Sequence, residues 1–338
     1  MKITSDLSDD VWHKLGNSSY EWWYFDAIAD NGYSFVITFF YGLPFSPYYN
    51  EKIVQLEQGK DLADPSNHVA FYFCLYENAR PIAYILSEYT SKDFFASKEK
   101  VEVKVGNNLL TYDQEQGFLI KINDLALWGR KVEGEIAFKP EFFPFINWPS
   151  KDSKHIWNCV APRCQVHGEM TITGLIKKRK IALQAIGYHD HNYGSRPMHK
   201  DMKRWHWGRV HTKEQTVIYY IIENNNEPEA FLMVLSDEGK TTYCNQAIYQ
   251  FKPKKDLMGV EYFSQINLNS KEYNLSVNIS KTYKVDQGPF YLRFLAEQKL
   301  ELGTETFKNI GFAEAFEPAK LFIKAYWPFI KMPIRKYS

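Results

Sequence analysis

The 338-residue chain has four cysteines, a formal net charge of only +1, no long apolar run and no glycine-rich phosphate loop. Each shortage removes a class of protein. Cys74, Cys159, Cys164 and Cys244 stand at no metal or redox spacing, and the nearest two are five apart. That argues against a zinc ribbon or a C-x-x-C redox pair. No stretch reaches the roughly 18 apolar residues of a membrane span, and Met1-Lys2-Ile3-Thr4-Ser5-Asp6-Leu7 lacks an apolar signal core. The expectation is a soluble cytoplasmic protein with reduced thiols. Charged residues make up 24% and nearly cancel, so no field favours nucleic acid or an anionic membrane surface. With no G-x-S-x-G, P-loop or G-x-G-x-x-G, a serine hydrolase, a kinase and a nicotinamide enzyme are all unexpected.

What the chain has in excess is aromatic surface: 23 Tyr, 24 Phe and 9 Trp, or 17% of residues. Two ring-rich β cores account for part of it. A cavity lined by rings and suited to a lipophilic ligand is the sharper reading. The densest chemistry lies in Gly187-Tyr188-His189-Asp190-His191-Asn192-Tyr193-Gly194. It follows Lys180 to Ile186, which is apolar, β-branched and free of Gly and Pro, hence a strand. If the strand continues, His189, His191 and Tyr193 face one way, and Tyr188, Asp190 and Asn192 the other. Burying so many polar groups unpaired would cost about 1–3 kcal/mol each. They form a structural network or they serve a ligand.

Most of the chain reads as short strands. They are Tyr33 to Gly42, Val69 to Tyr76, Pro81 to Leu86, Val101 to Val105, Phe118 to Ile122, Val132 to Phe138 and Glu169 to Ile176, then Ile181 to Ile186, Trp205 to His211, Thr216 to Ile222, Ala230 to Leu235, Tyr262 to Leu268, Tyr273 to Ile279 and Tyr291 to Leu300. So many strands without alternating helices predict an all-β protein of barrels or sandwiches. The length favours two domains. The polar stretch Ser195 to Asp201 divides them into an N-terminal domain, 1–199, and a C-terminal one, 200–338. Ala319 to Pro333, with Leu321, Phe322, Tyr326, Trp327, Phe329 and Ile330, predicts a short C-terminal capping helix, with weak membrane contact as a second option.

Three segments together resemble the carotenoid 1,2-hydratases (hydroxyneurosporene synthases) and the AttH-like proteins. They are Tyr20-Glu21-Trp22-Trp23-Tyr24-Phe25-Asp26, the His-rich segment with Val160-Ala161-Pro162-Arg163 and Gly168 before it, and Trp205-His206-Trp207-Gly208-Arg209. A fainter echo closes the chain at Gly311-Phe312-Ala313-Glu314. The resemblance implies two lipocalin-like β domains and a ligand cavity at their junction. It also implies hydration of terminal isoprenoid double bonds, or ring closure as in more distant relatives, the decalin-forming pericyclases among them. One departure stands out. The family's hydratases resemble one another in His-Asn-Trp followed some two dozen residues later by Tyr-x-Asp, whose aspartate is implied as the proton donor. Here His191-Asn192 precedes Tyr193, and the later strand reads Val217-Ile218-Tyr219-Tyr220-Ile221-Ile222-Glu223, with no aspartate.

Protonating an alkene needs a carboxyl kept neutral by apolar surroundings, rings to hold the cation, and controlled water. Asp190, Asp26 and Glu21 are the candidate acids; Trp22, Trp23, Trp207, Tyr219 and Tyr220 are candidate rings. Asp190 is either that donor or a hub that fixes its histidine neighbours. Glu21 reads as a buried acid paired to Arg163 or Arg209, or as part of the binding surface. His189 and His191 have the i, i+2 spacing of strand ligands, but no third ligand follows, so no metal is expected. Tyr219 and Tyr220 stand where the hydratases carry Tyr and Asp. A phenol is a weak acid toward an alkene but a good donor to a carbonyl.

The catalytic candidates are therefore Asp190, His191, Tyr219, Tyr220 and Asp26. Trp22, Trp23, Tyr24, His189, Tyr193, Trp205, Trp207 and Glu21 form the candidate substrate surface. The expected function is a cofactor-independent hydratase or cyclase acting on a lipophilic polyene or isoprenoid in an aromatic-lined cavity at the domain junction. A pericyclase that folds a linear polyene and a non-catalytic lipid or pigment carrier are the alternatives. The partner is a hydrophobic small molecule, not nucleic acid, and the sequence does not give the oligomeric state.

Overall fold

The computed structural model describes residues 1–146, 154–212, 215–224, 229–236, 241–243, 248–271, 274–329 and 335–337. Their contacts divide them into two compact units, one of residues 1–197 with 335–337 and one of 198–329. Both are built from antiparallel sheet, as the runs of β-branched and aromatic residues require.

The first unit opens with β1 (Lys2–Thr4), β2 (Tyr20–Ile28) and β3 (Tyr33–Tyr41), followed by the helix α1 (Pro47–Glu57). It continues through β4 (Val69–Glu77), β5 (Arg80–Tyr89), β6 (Phe94–Ala96), β7 (Glu102–Val105), β8 (Asn108–Asp113), β9 (Gly117–Leu125) and β10 (Lys131–Pro140). The long pair β11 (His155–Thr173) and β12 (Lys178–Gly194) completes it. The sheet is a nearly closed barrel in which β12 lies between β2 and β11, tying the N-terminal meander to the later one. Trp23, Phe25, Ile37, Phe39, Phe71, Phe73, Phe118 and Phe138 fill its interior. The sheet's other face is buried too along β2 to β4, where Tyr24, Val36, Tyr72 and Cys74 lie.

The second unit holds β13 (Arg204–His211), β14 (Gln215–Glu223), β15 (Glu229–Ser236), β16 (Thr241–Tyr243), β17 (Ile248–Lys255), β18 (Glu261–Ser270), β19 (Leu275–Gln287), β20 (Tyr291–Leu302) and β21 (Glu305–Phe316). Its sheet curls as a half-barrel in the order β16-β15-β14-β13-β21-β20-β19-β18-β17. A last short strand, β22 (Arg335–Lys336), belongs to the first unit and pairs with β5.

Two local readings change. α1 was not anticipated, because its apolar residues form only a narrow stripe of Tyr49 and Ile53. Its start was nonetheless written in Ser46-Pro47: the Ser46 hydroxyl accepts from the Tyr49 N–H, and Pro47 fills the first turn. The expected C-terminal helix is instead two 3₁₀ turns, Pro318–Phe322 and Lys324–Phe329. Pro328, inside the second turn, lacks the N–H that a continuous α-helix needs there. Ile330 to Pro333 of that stretch, Tyr273 and Cys244 lie outside the described residues. No helix among the described residues is long and apolar enough to cross a membrane.

Candidate functional site

β12 stays extended through Gly194, so its polar residues do alternate between faces. Its register against β2 sets the pairs: Glu21 opposite Tyr193, Trp23 opposite His191 and Phe25 opposite His189 on the inner face. Trp22 opposite Asn192, Tyr24 opposite Asp190 and Asp26 opposite Tyr188 stand on the other. One strand pair thus carries two separate polar clusters.

On the inner face the Glu21 carboxylate, fully buried, is the centre. Its Oε1 lies 2.8 Å from His13 Nδ1 and 3.0 Å from His191 Nε2, and the His13 backbone N–H donates to it at 3.1 Å. His191 stacks on Trp23 with ring centroids 4.6 Å apart, and its Nδ1 lies 3.2 Å from the Asp9 carbonyl oxygen. His189 stacks on Phe25 at 3.9 Å, with Nε2 2.9 Å from Asp10 Oδ2. Tyr193 donates to Asp9 Oδ2 at 2.9 Å and stacks under the His13 ring. Burial pulls His13 down, but hydrogen bonds and charge from Asp9 and Glu21 outweigh it and lift the imidazole to about 9. Asp9 shifts the other way: burial raises it, and bonds from His13 and Tyr193 more than reverse that.

On the opposite face two tyrosines and two aspartates form a quartet. Tyr24 donates to Asp26 Oδ2 at 2.9 Å, and Tyr188 donates to Asp190 Oδ2 at 2.7 Å, each phenol serving the acid two residues on. Asp190 also accepts from Trp157 Nε1 at 2.8 Å and Asn192 Nδ2 at 2.7 Å. Three donors on two oxygens hold an ionised carboxylate better than a neutral acid, which makes Asp190 a hub. Burial, with Asp190 beside it, pushes the Tyr188 phenol well above its ordinary value and does the same to the Cys159 thiol. Trp22 completes this face, stacked on Tyr20 at 4.9 Å.

The second unit separates the two candidate tyrosines. Tyr219 points into the core, its ring over Gly208, where a Cβ would come within 2.4 Å of the phenol oxygen. Its hydroxyl has no hydrogen-bond partner among the described residues. Tyr220 lies on the other face, 6.2 Å from the Trp205 ring, and Trp207 shares that face of the paired strands. His206 faces the core against Phe263, and burial, with Lys281 and Arg204 nearby, holds it well below the ordinary imidazole value. Glu223, the one acid of β14, is taken up by Arg204 at 3.1 Å.

Glu21 therefore pairs with two imidazoles, not with Arg163 or Arg209. Arg163 bonds Glu141 at 2.6 Å, and Arg209 lies 2.7 Å from His211. The sequence search also passed over His13, Asp9 and Asp10, which come from the segment before β2. His13, Glu21 and His191 place three potential ligand atoms within 4.8 Å of one another.

Comparison with known proteins follows this geometry. The model of the family described as "Carotenoid hydratase CrtC" matches residues 36–335. The chain is 30% identical over 341 residues to "Hydroxyneurosporene dehydrogenase" of Chlorobaculum tepidum, covering 95% of this chain and 88% of that protein. It is 25% identical over 212 residues to "Acyclic carotenoid 1,2-hydratase" of Rubrivivax gelatinosus, spanning 62% of this chain and about half, 49%, of that protein. Among solved structures, a putative AttH from Nitrosomonas europaea superposes with a TM-score of 0.63 at 13% identity, covering 94% of this chain and 98% of that one. The fold is thereby that of two lipocalin-like domains.

Proposed function

Because the chain belongs to the carotenoid hydratase CrtC family, we propose that it adds water across a terminal double bond of an acyclic isoprenoid or carotenoid. It is an enzyme acting on a lipophilic substrate.

The observation that carries it is the quartet on the outer face of β2 and β12. Hydration forms one C–H and one C–O bond: an acid protonates the alkene, a tertiary cation results, and water attacks it and returns its own proton to the acid. No hydride acceptor is needed, and no cofactor enters. β14 supplies no such acid, since Glu223 is engaged by Arg204 and His206. Asp26 is fully buried, flanked on its own strand by Tyr24 and Trp22 and opposed by Tyr188. Burial favours the neutral acid, against the bond that Tyr24 donates, and the rings offer faces to a cation, each worth roughly 0.5–2 kcal/mol. In this reading Asp26 is the proton donor. Asp190 is a positioning residue, holding Tyr188 and Trp157 by the bonds they donate. His191, His189, Trp23, Glu21 and Tyr193 lie on the barrel side and stay outside the reacting set. In the second unit Tyr219 faces the core, away from Trp205, Trp207 and Tyr220.

The test is Asp26→Asn assayed on acyclic carotenoids with products followed by mass. Loss of about a hundred- to ten-thousand-fold in rate, with the fold intact by circular dichroism, supports the assignment. Full activity in that variant removes Asp26 as the acid. An isomer of unchanged mass would signal ring closure instead, and binding without conversion a carrier.

A further inference from the structure

We infer that His13, Glu21 and His191 bind a divalent first-row transition-metal ion where the segment before β2 meets the paired strands β2 and β12. This inference is independent of the hydration reading, because it concerns the other face of the strand pair.

The three ligand atoms already converge, with Glu21 Oε1 at 2.8 Å from His13 Nδ1 and 3.0 Å from His191 Nε2. Metal–ligand bonds of about 2.0–2.2 Å set tetrahedral edges of roughly 3.3–3.6 Å, so the two edges at Glu21 would open by roughly half an ångström, and all three atoms lie within 4.8 Å of one another. Two imidazoles and one carboxylate suit zinc, manganese, iron or cobalt better than calcium. Metal-bound imidazoles characteristically have the remaining nitrogen held by a carboxylate or carbonyl. Both do here. His13 Nε2 lies 3.1 Å from Asp9 Oδ1, and His191 Nδ1 lies 3.2 Å from the Asp9 carbonyl and 3.3 Å from Asp10 Oδ1. Stacking on Tyr193 and Trp23 fixes the two rings.

A second observation points to a cation independently of ligand geometry. Asp9, Asp10 and Glu21 bring three carboxylates together, and Asp10 and Glu21 are completely buried. Among the described residues, their ion-pair partners are the imidazoles of His13, His189 and His191, with no lysine or arginine, and Asp10 Oδ1 has no hydrogen-bond partner. Buried carboxylates need compensating positive charge, and a divalent ion on the triad supplies it. His13 comes from a non-strand segment and its side chain is 20% exposed, which leaves an entry path.

The experiment uses the full-length protein without a histidine tag, stripped with a chelator and titrated with Zn²⁺ by calorimetry, then with Co²⁺ by absorption. The expected result is one equivalent of Zn²⁺ bound and Co²⁺ bands typical of nitrogen and oxygen ligands in four- or five-coordination. His13→Ala should abolish that equivalent while the chain stays folded, and Asp10→Asn should weaken it about 10–100-fold. Absence of any stoichiometric binding by the wild type overturns the inference. So does binding that His13→Ala and His191→Ala leave unchanged, since the ion would then sit elsewhere.

Discussion

Among the described residues, the Glu21 cluster of the first unit pairs nearly all of its polar atoms, Asp10 Oδ1 excepted, whereas the core of the second unit leaves several unpaired. In the first, every imidazole of the Glu21 cluster has an acceptor near each ring nitrogen, and the carboxylates are shared among them. In the second, the Tyr219 hydroxyl, the Lys281 amine and His206 Nδ1 are buried without a hydrogen-bond partner among the described residues. Lys281 lies over the Phe294 ring, 5.3 Å from its centroid. A satisfied network fixes one arrangement, whereas unpaired groups weaken the fold that buries them. The first cluster is therefore a structural anchor that pins the N-terminal segment to the barrel, and the second unit's core carries a local cost.

The pH behaviour of the two should differ in sign. His13 is raised from 6.5 to about 9, so its contribution to stability is complete below 6.5 and disappears as pH rises through 9. Burial lowers Lys281 from 10.5 to about 7 against the opposing pull of Glu314. Its cost is complete below 7 and is relieved as pH climbs toward 10.5.

Substitutions can break this contrast. Glu21→Leu, which strips two imidazoles of their shared carboxylate, should destabilise by about 3–5 kcal/mol in urea unfolding. A change under 1 kcal/mol would mean that the cluster anchors nothing. Lys281→Met should do the reverse, stabilising by about 1–3 kcal/mol at neutral pH and abolishing the gain in stability between 7 and 10.5. Tyr219→Phe removes a hydroxyl with no partner, so it should be neutral or raise stability by up to about 1 kcal/mol; a loss of more than that would reveal a bond made through water. His13→Gln should lower stability at pH 6, with no further loss between 6.5 and 9, so that the variant and the wild type converge above 9.

Much of the outer-face quartet was legible in the sequence, because a period of two is all that is needed to put Tyr188 and Asp190 on one face and His189 and His191 on the other. The same pattern identified an all-β chain. The inner cluster was legible only in part. Its partners Asp9, Asp10 and His13 sit in a segment without periodicity, and nothing local marks a residue that meets a strand more than 170 positions away. Glu21 was matched to arginines because a buried acid calls for a cation; two imidazoles met that need. Tyr219 and Tyr220 could be seen to diverge, but not which of them faces the core.

The central claim is hydration of a terminal double bond. Its most direct test is incubation of the wild-type protein with an acyclic carotenoid in H₂¹⁸O, followed by mass spectrometry. The account predicts a product heavier by one labelled water, with the ¹⁸O on the tertiary carbon. Recovery of unchanged substrate, or of an isomer without ¹⁸O, would contradict it.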